Sequence, residues 1–340
     1  MKKKTVRLHD IAAKAGVSIN TVSRALRNQL YVNEKTKATI FQVAEELGYS
    51  FPLQTSPSNS KRLTIGVLVQ DIKNPFFATA IEGIEQVLWQ ENANLLFGCS
   101  YRQESKERDI FLSFCQQQVD GIFLGSMINP DYILAQLRHS TIPVVSISQR
   151  FQACKVDYVI NDNYKGAMLV TEHLLKLGHT RIAHISGLDT QVSAQERLRG
   201  YKDALKSAGI PFDEQLLRSS DNTMESGYFL TKDLLHVTDG LTAIFAFNDL
   251  VALGAARAIR EANLQVPTDI SLVGYDDIPS AAYLAVPLTT VQQPVVEIGR
   301  KATEILLERI KAGREHQLQQ IVLQPRLSVR SSTSICPEKS

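Results

Sequence analysis

Apolar residues along this chain keep two different rhythms. In the first fifty residues the spacing is helical. Leu8, Ile11, Ala12 and Ala15 fall at i, i+3, i+4 and i+7, which predicts a helix over residues 8–15 with one inward stripe. Gly16 stops it, since glycine enters the left-handed conformation that ends helices at no steric cost. Ser18 is the predicted cap of a second helix, whose inner face is Val22, Ala25 and Leu26. Asn33 caps a third, with Ile40, Val43, Ala44 and Leu47 inward and Gly48 at its end. The first break spans only Gly16-Val17-Ser18, so the flanking helices turn sharply against each other as a helix-turn-helix.

From Leu63 the rhythm becomes short apolar runs alternating with amphipathic stretches. Thr64–Val69 reads as a buried strand, and Phe77, Ile81, Ile84 and Leu88 mark the helix behind it. Further strands are predicted at 94–97, 121–124, 144–147 and 158–160. After a helix over 167–177 the scheme restarts at 181–185 and continues at 216–218, 243–247 and 271–275. Strand–helix alternation predicts doubly wound parallel sheets, and the restart predicts two similar lobes. Such lobes hold ligands in the crevice at the carboxyl ends of their strands.

Charge divides the chain in the same place. Residues 1–62 carry 11 Lys and Arg against four Asp and Glu, a net of +7, whereas the remainder carries 26 against 31, a net of −5. A basic head ahead of an acidic body suits contact with a polyanion. Residues 51–62, rich in Pro, Ser and Asn, read as a linker. The expected domains are therefore a helix-turn-helix unit over 1–50, a hinge over 51–62 and a two-lobed core over 63–335. Lobe 1 takes about 63–162 and 292–320, and lobe 2 about 163–291 and 321–330. With no apolar segment of about 20 residues and no signal-type apolar stretch behind Lys2-Lys3-Lys4, a cytoplasmic protein without a membrane partner is expected. Four widely spaced cysteines without a CxxC pair indicate neither zinc nor a disulfide framework.

The outward face of the second helix carries Ile19, Asn20, Thr21, Ser23, Arg24 and Arg27. Asn pairs with adenine, Arg with guanine, and Ile touches a thymine methyl, so this inventory fits a helix in a DNA major groove. In the body, polar residues directly follow strands: Asn74-Pro75-Phe76-Phe77, Asp162, Asn248-Asp249 and Asp276-Asp277, with Arg197 expected to begin a helix. Carboxylates, an arginine and an amide exchange hydrogen bonds with vicinal hydroxyls, and a phenyl ring offers a flat apolar face. Each alone is more often a helix cap or turn residue; their convergence on one cleft points to a ligand. No GxxxxGK[ST], GxGxxG, HExxH or GxSxG is present, so no enzyme, cofactor or metal is expected.

Leu8-His9-Asp10-Ile11-Ala12-Ala13-Lys14-Ala15-Gly16-Val17-Ser18, followed by Thr21-Val22-Ser23-Arg24, resembles the N-terminal signature of the LacI/GalR family of bacterial transcriptional regulators. The body resembles that family too, at Asp162-Asn163, Gly178-His179-Thr180-Arg181-Ile182, Arg197-Leu198-Arg199-Gly200-Tyr201, Val273-Gly274-Tyr275-Asp276-Asp277 and Pro325-Arg326-Leu327. The resemblance implies a core akin to periplasmic sugar-binding proteins. It implies that Ile19, Asn20 and Arg24 read bases, while Arg7, His9, Ser18, Thr21, Ser23, Arg27 and Tyr31 hold the DNA backbone. Effector contacts are implied at Asp162, Arg197, Asn248 and Asp276, with Phe76, Phe77, Ser148, Ser193 and Asn222 around them. Asn222 stands where several members place a stacking aromatic and Ser148 where some carry a carboxylate, which points to a polar effector such as a sugar acid or phosphosugar. The family's hinge helix wedges a leucine into the minor groove; here Leu53 is the candidate, and Pro57 opposes the helix. The implied function is a repressor acting as a homodimer on a near-palindromic double-stranded operator, gated by a sugar-like effector. A regulator of the same fold gated by a protein partner, or acting without a small molecule, is the alternative.

Overall fold

The computed structural model describes residues 6–26, 32–49, 62–127, 130–137, 140–151 and 155–337. The chain forms two compact units, Met1–Lys61 and Arg62–Ser340.

In the first unit, α1 (Leu8–Ala15), α2 (Ile19–Leu26) and α3 (Glu34–Glu46) enclose Ile11, Val22, Ala25, Ile40 and Ala44. Gly16 ends α1 at φ +67°, and its N–H donates to the Ala12 carbonyl. An added Cβ would meet nothing within 4 Å, so the requirement for glycine there is backbone conformation alone. Ser18 Oγ accepts from the Thr21 N–H at 3.0 Å and Asn33 Oδ1 from the Thr36 N–H at 2.8 Å, which closes the starts of α2 and α3.

The second unit runs β1 (Thr64–Val69), α4 (Pro75–Gln90), β2 (Asn94–Cys99), α5 (Glu104–Gln116), β3 (Gly121–Leu124), α6 (Pro130–Leu137), β4 (Val144–Ser146) and β5 (Asp157–Asn161). It continues with α7 (Asn163–Lys176), β6 (Ile182–Ser186), α8 (Val192–Ser207), β7 (Leu217–Ser219), α9 (Met224–Val237), β8 (Ala243–Ala246), α10 (Asp249–Glu261) and β9 (Ser271–Val273). Last come β10 (Thr290–Gln292), α11 (Val295–Ala312), β11 (Gln320–Leu323) and β12 (Arg326–Ser328). The first lobe is built on a parallel sheet in the order β11-β5-β4-β3-β1-β2, and the second on a parallel sheet in the order β7-β6-β8-β9. β10 and β12 pair antiparallel beside the second lobe. The chain passes between lobes after β5, after β10 and after β11.

Two lobe limits differ from the sequence reading. β11 lies parallel to β5, with Ile321 opposite Val159, so lobe 1 keeps the chain to Leu323 rather than to 320. The edge of β5 needs partners for its backbone groups, and β11 supplies them although its alternation is weak. The tail beyond 330 also stays on lobe 2: the Leu272 N–H donates to the Ser332 carbonyl and the Cys336 N–H to the Leu177 carbonyl, both at 2.8 Å. The strand expected at 216–218 begins one residue later, because Glu214–Leu216 forms a 3-10 turn capped by Asp213.

Packing between paired helices leaves no room for side chains at their crossings. A Cβ on Gly83 of α4 would lie 2.2 Å from the Val296 carbonyl oxygen of α11, and one on Gly299 of α11 would lie 2.2 Å from the Ala80 carbonyl oxygen of α4. Since both obstacles are backbone, Gly83→Ala should lower the stability of the core by about 1–3 kcal/mol through overpacking. Urea unfolding followed by circular dichroism measures it; an unchanged midpoint would show that the two helices can part without cost.

Candidate functional site

The carboxyl ends of both parallel sheets face one cleft of about 690 Å³, its mouth included. Lobe 1 contributes Gln70 and Asp71 after β1, Phe76 and Phe77 at the start of α4, Arg102 after β2, Ser148 and Gln149 after β4, and Asn161 and Asn163 around the end of β5. Lobe 2 contributes Gln191, Ser193 and Arg197 from the start of α8, Asn222 after β7, Phe247 after β8 and Asp276 after β9, with Gln293 from the crossing segment. Seven of these side chains are carboxamides, and Asn74, also in the wall, is the eighth.

Arg197 is the centre of the arrangement. It lies in the second turn of α8, which begins at Val192, rather than opening the helix as the sequence suggested. Nε donates to Asn163 Oδ1 at 3.0 Å and Nη1 to the Phe247 carbonyl at 2.5 Å, while Nη2 is 3.9 Å from Asp276 Oδ1. The guanidinium also covers the Tyr275 ring, 3.5 Å from its centroid, and the Phe247 ring at 4.5 Å. Tyr275 Oη in turn accepts from Asn161 Nδ2 of lobe 1 at 2.7 Å. Asp276 reaches the cleft from a backbone with φ +116°, followed by Asp277 at +54°, a conformation that costs a non-glycine residue energy and must be held by its surroundings. The holding groups are visible: the Asp276 N–H donates to the Val291 carbonyl, Gln293 Nε2 donates to Asp276 Oδ1 at 2.6 Å, and Arg330 pairs with Asp277 at 2.6 Å.

The other expected residues divide. Phe76, Phe77, Ser148, Ser193 and Asn222 line the cleft together with Arg197 and Asp276. Asp162 does not: its carboxylate caps α7, accepting from the Lys165 N–H at 2.9 Å, and its neighbours Asn161 and Asn163 face the cleft instead. Asn248 caps α10 through Oδ1, accepting from the Val251 N–H at 2.9 Å, and sits behind Phe247. Asn222 Oδ1, Asn161 Oδ1 and Ser148 Oγ are buried without a hydrogen-bond partner among the described residues, so the walls keep polar capacity in reserve. The sequence reading passed over Asp71, Arg102, Gln149, Gln191 and Gln293. Inspecting every residue just after β1, β2 and β4 finds the first three; nothing in the pattern announced β10, which leads to Gln293.

In the first unit Arg7, His9, Ser18, Ile19, Asn20 and Arg24 are exposed, and Thr21 and Ser23 are half-buried. Ile19 keeps 51% of its surface in solvent, an outward apolar group on a polar helix face. Ser18 and Thr21 share a hydroxyl–hydroxyl contact of 2.8 Å, and His9 lies 3.3 Å from Asp10. Arg27, Tyr31 and Leu53 fall outside the described residues.

Comparison with known proteins gives two family matches. Residues 62–326 match the periplasmic binding proteins and sugar-binding domain of the LacI family, and residues 7–51 match the bacterial regulatory proteins of the lacI family. The chain belongs to the LacI family. It is 33% identical over 332 residues to the HTH-type transcriptional repressor PurR of Aliivibrio fischeri, covering 96% of this chain and 98% of that protein. Its fold is similar to that of the regulator CelR in complex with cellobiose (TM-score 0.74, 31% identity, 96% of this chain and 99% of that one). It is also similar to the lac repressor dimer bound to operator and the anti-inducer ONPF (TM-score 0.75, 28% identity, 97% and 100%). As a LacI-family protein this chain is a DNA-binding transcriptional regulator with an effector-binding core, and family members are regulators, not enzymes. No helix among the described residues is long and apolar enough to cross a membrane.

Two buried carboxyls in this core differ in charge. Burial pushes Asp276 up to about 6, against the pull of Arg197 and hydrogen bonds from Gln293 and Asn74. Burial pushes Asp249 further, to about 8, with the Asp276 charge adding and bonds from Thr290 and the Ile278 N–H opposing. At neutral pH Asp276 is mostly ionised and Asp249 mostly holds its proton. A raised carboxyl binds its proton more tightly in the folded than in the unfolded chain, so its stability contribution is full at low pH and is lost as pH rises toward the folded pKa. Asn at 249 mimics the protonated form, donating to Thr290 and accepting from the Ile278 N–H. The wild type should therefore lose stability between pH 6.5 and 8 by up to about 1.4 kcal/mol per pH unit, and Asp249→Asn should remove that slope. Melting curves across this range test it; parallel slopes would place the ionisation elsewhere.

Proposed function

We propose that this regulator is a homodimeric repressor that reads a near-palindromic operator with Ile19, Asn20 and Arg24 of each α2 and is gated by a small sugar-like effector in the interlobe cleft. The observation that carries the reading is the Arg197–Asp276 pair, set among carboxamides and phenyl rings where the two sheets point at each other. A guanidinium beside a carboxylate offers donor and acceptor to adjacent hydroxyls, and Phe76 offers an apolar face to a ring. Among the described residues the cleft brings together donors, acceptors and apolar faces, a set that suits reversible binding. That CelR was solved with cellobiose and the lac repressor as an operator-bound dimer supports the same reading for this chain. Trp89 at the end of α4 and Tyr283 on lobe 2, 78% and 88% exposed, are large side chains that a second copy would cover.

Coupling between the sites follows from linkage. An effector that prefers one arrangement of the lobes changes operator affinity, and operator changes effector affinity by the same factor, about 1–3 kcal/mol in typical cases. Selection from random DNA should return a two-fold symmetric site. Arg24→Ala should relax one symmetric base pair at a cost of about 1–3 kcal/mol and leave the rest of the site intact. Arg197→Ala should keep the site unchanged and lose the response to the effector. A variant at Arg197 that responds like the wild type would remove the cleft from the mechanism.

A further inference from the structure

We infer that the cleft selects an uncharged polyhydroxy compound, a neutral saccharide or polyol, and that Asp71 enforces this by occupying Arg102. The inference rests on the cleft being the effector site and goes on to its charge selectivity.

Among the described lining residues the cations are Arg102 and Arg197, and each already faces a carboxylate. Arg197 gives Nε to Asn163 and Nη1 to the Phe247 carbonyl, and its Nη2 lies 3.9 Å from Asp276. Arg102 Nη2 donates to Asp71 Oδ2 at 3.0 Å. This contact is built into the loop: Tyr101 and Arg102 are consecutive left-handed residues, φ +50° and +60°, and the Arg102 N–H donates to the Gln70 carbonyl at 3.1 Å. The Asp71 carboxylate is itself fixed by the Lys73 N–H at 2.9 Å. A second carboxylate, Asp221 of lobe 2, faces the same guanidinium. Burial works against its ionisation, but bonds from Thr223 and Ser226 and the Arg102 charge outweigh that and hold it below the usual range. On the cleft wall itself the two guanidiniums are balanced by Asp71 and Asp276, with Asp221 acting on Arg102 from beyond it. A phosphate or carboxylate entering here meets no net positive charge and gains a cation only in competition with Asp71 or Asp276, at the cost of weakening an ion pair largely withdrawn from water.

Hydroxyl groups meet no such conflict. A carboxamide donates and accepts without charge, which matches a hydroxyl, and eight carboxamides face the cleft. The aromatic faces argue against a flat heterocycle. Arg197 covers Phe247 and Tyr275, Phe76 meets Phe77 edge-on at 87°, and Asn222 brings an amide rather than a ring. Among the described lining residues no opposed pair of free ring faces is left to sandwich a base.

The test uses the purified full chain. Thermal shift followed by calorimetry would compare glucose, ribose, cellobiose, maltose and sorbitol with gluconate, glucuronate, glucose 6-phosphate and ribose 5-phosphate, and with hypoxanthine and guanine. The expected wild-type ligand is one of the neutral compounds, with its acid or phosphate at least about 100-fold weaker, a gap of about 2.7 kcal/mol. Asp71→Asn keeps the acceptor for Lys73 and frees Arg102, so the affinity for the charged counterpart relative to the neutral one should rise at least tenfold. Adding Arg102→Gln to Asp71→Asn should cancel that gain, which a general disturbance of folding would not do. A phosphate or acid as the tightest wild-type ligand overturns the inference, and so does a ratio that Asp71→Asn leaves unchanged. A nucleobase as the tightest ligand overturns it while leaving small-molecule gating intact. Absence of binding across the panel, together with Arg197→Ala regulating as the wild type does, removes the effector site itself.

Discussion

A guanidinium withdrawn from water must find acceptors and a counter-charge inside the protein, or the fold cannot keep it. Arg197 meets that demand with four groups from three places in the fold: Asn163 at the start of α7, the carbonyl after β8, and the Tyr275 ring and Asp276 carboxylate after β9. Tyr275 extends the chain of contacts into lobe 1 through Asn161. The strained backbone at Asp276 and Asp277 belongs to the same constraint, since it is the conformation that presents the carboxylate to the cleft. Asp249, Arg330 and the backbone of β10 hold that loop from behind.

The lobes supply the frame. Parallel strands put all their carboxyl ends on one side, so two such sheets set end to end create a crevice walled by the loops that follow the strands. The helix pairs behind the sheets approach to backbone contact at Gly83 and Gly299 in lobe 1 and at Gly227 and Gly254 in lobe 2, which packs each lobe tightly. Among the described residues three chain segments join the lobes; Gln293 lies on one of them and Asn161 ends the strand that leads into another, and both are in the cleft wall. On the proposed function, a ligand at Arg197 and Asp276 sits beside these connections, since all four residues line one cleft. This is the physical route by which occupancy of the cleft can bias the arrangement of the regulator.

Much of this was open to inspection in the chain itself. The three helices of the first unit, their caps at Ser18 and Asn33 and the stop at Gly16 follow from spacing and local hydrogen-bond chemistry. The strand–helix alternation and the restart after residue 163 follow from apolar runs. Phe76, Arg197 and Asp276 stood out because they follow strands or match a family landmark. Asp162 and Asn248 stood out for the same reason, yet their side chains serve as helix caps, and the neighbouring Asn161 and Asn163 face the cleft. A strand end marks the loop that reaches the crevice; it does not say which of three consecutive residues points inward.

Local pattern by itself determined the helix-turn-helix, the two-lobed class and the exposed polar face with Ile19 and Arg24, because those depend on periodicity and on bonds within a few residues. Tertiary structure alone decided the pairing of Arg102 with Asp71, the gathering of eight carboxamides from both lobes and the pairing of β11 with β5. The strand pairing alone joins residues 162 positions apart, Val159 and Ile321, and no spacing rule along the chain records which loops the two sheets bring face to face. The charge balance of the cleft, and so the kind of molecule it can hold, exists only once those loops meet.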